Sequence, residues 1–264
     1  MNLSSARVVL RTRDLGELFD LGGRAVFALG GRLYLYLFVC TSLPLAVGFY
    51  LLHTLAEVEP TSIWLLAVMA LWVNQGVYTI AASRLMFSEK VGFGEVVGQF
   101  LRRLPSYLIA LMIAWIVLFL TSLLVIGFIW GLVWTLYIHE ASLLEMQGPF
   151  AAFRRARVLA RNNFPGLFGF SSLTVLVAFF AIVSAEMLGH GLVDFVLQLG
   201  EPFGELQEDG ISLYAMIGVF AMAPFWATVR FLFYIDGRTR QDGWDIQLRF
   251  SHLAAVDEGE EGAG

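Results

Sequence analysis

RLPSYLIALMIAWIVLFLTSLLVIGFIWGLVWTLYIHE, the stretch from Arg103 to Glu140, contains no formal charge between its two ends. As one helix its uncharged interior would run about 52 Å at 1.5 Å per residue, against a hydrocarbon core of about 30 Å. One straight crossing is therefore excluded. Arg102 and Arg103 precede the run, and Arg154, Arg155, Arg157 and Arg161 follow it. Cations in short loops resist translocation, so an even number of crossings must separate these two groups. Two helices, at about 104–125 and 127–146 with a tight outer turn near Gly127, meet both conditions. A re-entrant hairpin that never reaches the far side is the alternative.

The same reading extends outward to both ends of the chain. Apolar runs at about 33–55, 62–84, 166–189 and 211–235 are each of membrane-crossing length. The seventeen Lys and Arg residues fall into four groups separated by these runs: Arg7 to Arg32, Arg84 to Arg103, Arg154 to Arg161 and Arg230 to Arg249. All four can stay on one side of a membrane if six helices cross it as three hairpins, with both termini cytoplasmic. Each hairpin is preceded by an amphipathic segment, at about 14–31, 92–104 and 148–163. The middle one is the clearest, with Phe93, Val96, Val97, Phe100, Leu101 and Leu104 on one face and Glu95, Gln99, Arg102 and Arg103 on the other. The expected fold class is thus an all-α membrane protein, one integral domain over 1–250 followed by a disordered acidic tail over 251–264. The segments are expected to lie in the interface of an anionic inner leaflet or to plug the cytoplasmic face of the bundle.

Composition agrees, at 58% hydrophobic and 15% charged residues, against roughly 45–50% and about 25% in soluble domains. The net charge of −5 misleads, because the acidic residues cluster in one outer loop and in the tail. Nucleic-acid binding has no support, since the basic groups are dispersed and no soluble domain surrounds them. The lone Cys40 excludes an intramolecular disulfide and a Cys-rich metal site. The first thirty residues lack an apolar core of signal-peptide length, so no cleaved leader is expected.

Signatures of soluble-type catalysis are missing. Gly92 to Gly98 reads GFGEVVG, with the wrong final spacing for a dinucleotide loop, and no phosphate loop with Gly-Lys-Ser/Thr exists. His139-Glu140 lacks the second His of a helical zinc site, because position 143 is Leu143. No metal or cofactor is expected. Polar groups at membrane depth are the remaining candidates. Asn74 and Gln75 lie near the midplane of the second helix, about 100° apart around its axis, so one neighbouring helix is a poor match for both. They would serve either as glue between helices or, with Glu140, as the lining of a transport cavity. On a fourth helix starting near Gly127, His139 and Glu140 lie within hydrocarbon and Glu145 at the cytoplasmic boundary. Arg230 reaches the same depth on a last helix starting near Ile211, so Glu145 and Arg230 could pair, or each could simply end its helix among headgroups. Ala110 with Ala114, and Gly127 with Gly131, have the spacing of close helix contacts. Pro224 should kink the last helix.

The segment FYIDGRTRQDGWDIQLRF, from Phe233 to Phe250, carries Asp236, Arg238, Arg240, Gly243 and Asp245. This pattern resembles the D-x-R-x-R-x-x-G-x-D ending of the glycerophosphoryl diester phosphodiesterase membrane domain family and related six-helix bacterial membrane proteins. Glu145 followed by Ala152, Arg154 and Arg155 is similar to that family's acidic residue and basic interfacial helix. Asp242 stands where the family more often has Glu, and Ala156 where a Ser often follows the Arg. The resemblance implies a six-helix bacterial inner-membrane protein without the separate catalytic domain that hydrolytic relatives carry. From Trp244 to Phe250 apolar and polar residues alternate, which predicts an extended strand packed under the bundle, with Arg238 and Arg240 meeting carboxylates or lipid phosphates. The expected function is a non-enzymatic scaffold or partner of a membrane complex. The rival expectation is a transporter or lipid-handling protein using Asn74, Gln75 and Glu140.

Overall fold

The computed structural model describes residues 13–88, 91–200 and 202–242, and every described element is helical. Five stretches are long and apolar enough to cross a membrane: Leu15–Ala56, Pro60–Phe87, Phe93–Ser122, Phe164–Val196 and Leu213–Arg240. They share one buried apolar cluster, to which Leu37, Ile63, Tyr78, Tyr107, Phe220 and Phe231 contribute. Large apolar side chains such as Leu65, Ile116, Phe119, Phe179 and Phe180 face outward. An outer surface of that composition suits lipid and not water.

The N-terminal stretch is α1 (Leu15–Ala25), α2 (Gly31–Leu37) and α3 (Leu43–Ala56), joined by π-helical turns over Val26–Gly30 and Phe38–Ser42. Gly31 has φ +27°, a backbone region that disfavours any side chain and marks the bend between α1 and α2. Separate segments at about 14–31 and 33–55 were expected here, whereas the stretch is helical throughout from Leu15 to Ala56, and α1 is packed against the bundle. It lies on the last helix, where a Cβ at Gly22 would sit 2.3 Å from Val229 Cγ2. Phe19 touches Phe225, Phe233 and Phe170. Gly22, one of the glycines that weaken this helix in isolation, is therefore what lets its backbone approach its neighbour.

Helix α4 (Pro60–Phe87) corresponds to the second expected crossing. The next element corrects the sequence reading: 92–104 and 104–125 do not form separate helices but one, α5 (Phe93–Ser122), which passes through Pro105. The reason is a single buried stripe, Val96, Phe100, Tyr107, Ala110, Leu111 and Ala114, whose phase is unbroken across the proline. Packing along that stripe outweighs the one backbone hydrogen bond Pro105 cannot make.

After α5 the chain turns at Leu123 and Leu124, earlier than the expected turn near Gly127. Gly127 instead lies inside α6 (Val125–Thr135), where a Cβ would stand 2.6 Å from the carbonyl oxygen of Thr121. At Gly131 a Cβ would meet Thr121 Oγ1 at 2.1 Å. Both glycines thus permit the close α5–α6 approach their spacing suggested. The run expected as one helix over 127–146 is broken at Leu136 and Tyr137, and resumes as the short α7 (Ile138–Leu143).

Helix α8 (Pro149–Arg161) is discrete, as expected for 148–163. It ends at Asn162 and Asn163, before α9 (Phe164–His190) begins with Pro165 in its first turn. A π-helical turn, Gly191–Val196, and the single turn α10 (Leu206–Asp209) lead to α11 (Leu213–Ala221) and α12 (Ala223–Asp242). The predicted kink of the last crossing is this α11–α12 break at Met222, where Pro224 opens the new helix. Asp236 to Asp242 continue α12 as helix. The alternating residues Trp244 to Phe250, Asp245 and the 251–264 tail lie outside the described residues.

Candidate functional site

Arg230 stands at the meeting point of α12, α4 and α7, 4% exposed. Its Nε donates to Glu140 Oε1 at 2.8 Å, Nη1 donates to Gln75 Oε1, and Nη2 donates to Thr79 Oγ1 at 3.0 Å. Thr79 in turn donates to the Gln75 carbonyl at 3.0 Å, so the two acceptors on α4 are held in one turn of helix. The expected pairing of Arg230 with Glu145 is corrected: Glu140 takes it. Both expected depths assumed straight helices, whereas the breaks at Leu136–Tyr137 and Met222 reset the height of each partner. A buried pair of this kind costs several kcal/mol in desolvation per ion, repaid only when the remaining hydrogen-bond sites are filled. Arg230 fills all three of its nitrogens, while Glu140 Oε2 is buried without a partner.

His139 lies next to Glu140 on α7, also buried. Its Nδ1 is 2.6 Å from Tyr107 Oη, and that hydroxyl donates to the Trp72 carbonyl at 2.8 Å. A carbonyl can only accept, so the tyrosine proton is spent on Trp72 and Nδ1–H is the donor to Tyr107. This assigns the Nδ1–H tautomer and leaves Nε2 with a lone pair.

Asn74 points elsewhere. Its Nδ2 donates to Ser42 Oγ at 2.7 Å, and Ser42 shares a 2.8 Å hydrogen bond with Tyr78. The neighbouring amides are therefore satisfied by different elements, Asn74 by the turn before α3 and Gln75 by α12, as their 100° separation implied. Asn74, Gln75 and Glu140 do not line one cavity. Gln75 borders a cleft of about 320 Å³ together with His139 and Arg230, but Asn74 and Glu140 do not.

A second polar cluster gathers around Glu145. Its Oε1 accepts from Arg238 Nη1 at 3.0 Å, from Arg155 Nε at 3.3 Å and from the Tyr234 hydroxyl. Gln147 donates to its other oxygen at 2.9 Å. The carboxylate thus joins the segment after α7 to α8 and α12. Arg154, one residue from Arg155, is exposed. Asp236 forms a third tie, accepting from the Arg13 backbone N–H at 2.9 Å and from Arg240 Nε at 2.8 Å. Arg240 Nη2 also donates to the Arg13 carbonyl at 2.8 Å, which fastens the start of α1 to the end of α12.

One cluster was not singled out from the sequence. Glu186, His190 and Asp194 follow one another at four-residue steps on α9 and its π-helical extension. His190 Nε2 is 3.2 Å from Glu186 and its Nδ1 meets Asp194. Glu186 also accepts from the Ser212 hydroxyl and from the Leu206 backbone N–H at 2.8 Å. Ser212 caps α11 by accepting from Ala215 N–H at 3.0 Å, so Glu186 ties α9 to the start of α11. The i, i+4, i+8 spacing was the available signal. Among the described residues no group of three or more His, Cys, Asp or Glu is arranged to hold a metal ion. Compared with known protein families, with curated proteins and with solved structures, the chain finds no match.

Proposed function

We propose that this chain is a non-enzymatic multi-pass protein of a bacterial cytoplasmic membrane, acting as a scaffold or partner within a membrane complex. In this reading α6 and α7 together complete a sixth crossing, the helices pair as three hairpins, and both termini lie in the cytoplasm against an anionic inner leaflet. The carrying observation is that the buried ionic groups are spent on ties between helices. Each Arg230 nitrogen donates once, to Glu140, Gln75 and Thr79, and Glu145 accepts from Arg155, Arg238, Tyr234 and Gln147. Side chains committed in this way hold the helices in one arrangement. The resemblance of the closing segment to six-helix membrane domains points the same way. The alternative, transport through a cavity shared by Asn74, Gln75 and Glu140, draws no support from where those three side chains point.

Purification of the whole chain from mild detergent, with crosslinking through a C-terminal tag, tests the proposal. A defined protein partner should co-purify in stoichiometric amount. Recovery of the chain alone, under conditions that preserve other complexes of the same membrane, would count against a scaffold.

A further inference from the structure

The cleft that Gln75, His139 and Arg230 border is walled by α4, α6, α7, α9, α11 and α12. From Trp64 to Gln75 it follows one face of α4, a length of about 16 Å at 1.5 Å per residue. Its rim residues Val68 and Val175 are 47% and 66% exposed. Both lie within the apolar runs of their helices, so the mouth faces hydrocarbon and not water. The walls are apolar, yet two polar atoms on them have no hydrogen-bond partner: Thr174 Oγ1 on α9 and Trp226 Nε1 on α12. Trp226 is 7% exposed. At this depth no bulk water is at hand, and an unmet donor costs free energy that a ligand's polar head would recover. The charge in the cleft is already balanced, because the Arg230 guanidinium has Glu140 at 2.8 Å and each of its nitrogens already donates once, to Glu140, Gln75 and Thr79. The unmet groups therefore call for a neutral head and not an anion. A volume of about 320 Å³ sits near the lower end of the usual range for small-molecule sites, about 300–1,000 Å³, which suits one chain better than two.

We propose that this cleft binds a single-chain amphiphile with an uncharged hydroxyl head, which enters sideways from the hydrocarbon layer and hydrogen-bonds to Trp226 Nε1. The inference goes beyond the scaffold reading and does not depend on it, since a scaffold without partners could still hold such a molecule.

Bromine quenches tryptophan fluorescence on contact, and Trp64, Trp72 and Trp226 all line the cleft. Full-length protein in nanodiscs would be titrated with 10-bromodecan-1-ol. Parallel titrations would use 1-bromodecane, 10-bromodecanoate at alkaline pH and a dibrominated phosphatidylcholine. The alcohol should quench saturably at one site per chain. Trp226→Phe should weaken its binding about two- to ten-fold, the loss of one hydrogen bond, as read on Trp64 and Trp72. Ala178→Phe should abolish the saturable component. Val175→Phe, at the exposed rim, should do the same if the first variant does not fold. Quenching that rises with bulk probe content and is equal in all variants would overturn the proposal. Tighter binding of bromodecane or of the carboxylate would overturn the assignment of a neutral hydroxyl head, as would phosphatidylcholine saturating the same site.

Discussion

At the residue scale, one arginine carries most of the specificity of the bundle interior. Arg230 joins three elements through a planar fork, and no other side chain supplies that geometry. Arg230→Met leaves Glu140 buried and uncompensated. It should therefore destabilise the protein by about 3–5 kcal/mol, on the order of 10 °C in thermal melting in detergent. The double change Arg230→Met with Glu140→Gln should recover much of that loss, because it removes the stranded charge along with its partner. A double variant as unstable as the single one would show that the pair is not coupled. The ties at the end of α12 lead to a milder expectation. Arg238 reaches Glu145 and Tyr234, and Arg240 reaches Asp236 and the Arg13 carbonyl. A lysine cannot span two acceptors as a guanidinium does, so Arg238→Lys with Arg240→Lys should lower the melting temperature although charge is kept. Unchanged melting would reduce these arginines to orientation signals. Asn74 and Gln75 were legible as residues needing partners. Which partners they take was not, because Ser42 and Arg230 are distant in sequence and meet only through folding.

At the scale of elements, the sequence located the apolar runs well and their internal breaks poorly. The amphipathic segment at about 92–104 and the crossing at about 104–125 were read as separate, yet α5 runs through Pro105 as one helix. If that helix is held by its continuous buried stripe, Pro105→Ala restores one backbone hydrogen bond and should leave melting unchanged or raise it. A clear drop would mean that the bent geometry is itself required. Gly22 of α1 behaves in the opposite sense to its helix propensity. Gly22→Leu should push α1 off α12 and lower stability, and Val229→Ala in the same chain should restore part of it, since Val229 Cγ2 occupies the space in question. Failure of the rescue would place the damage in α1 itself. The small pair Gly127 and Gly131 was readable as a close contact from spacing alone, and the neighbour proves to be Thr121 at the end of α5.

At the scale of the whole molecule, the open question of order is the α6–α7 pair, which together complete an even number of crossings in the proposed topology. With Cys40 replaced by Ser and a single Cys placed at Leu124, a membrane-impermeant maleimide should label intact spheroplasts, because the proposed topology puts Leu124 in an outer turn. Labelling only after lysis would leave a re-entrant hairpin and four full crossings. The all-helical, membrane-embedded character followed from sequence by itself, because the free energy of moving an apolar run into hydrocarbon is summed over adjacent residues and needs no distant partner. Only the tertiary structure decided which carboxylate Arg230 meets. Glu140 and Glu145 stand five positions apart in one segment, and the heights of both relative to Arg230 depend on two helix breaks, at Leu136–Tyr137 and at Met222. The break at Met222 has Pro224 beside it, but the one at Leu136–Tyr137 falls inside an apolar run with no proline, and a pairing that depends on it leaves no periodic trace in the sequence.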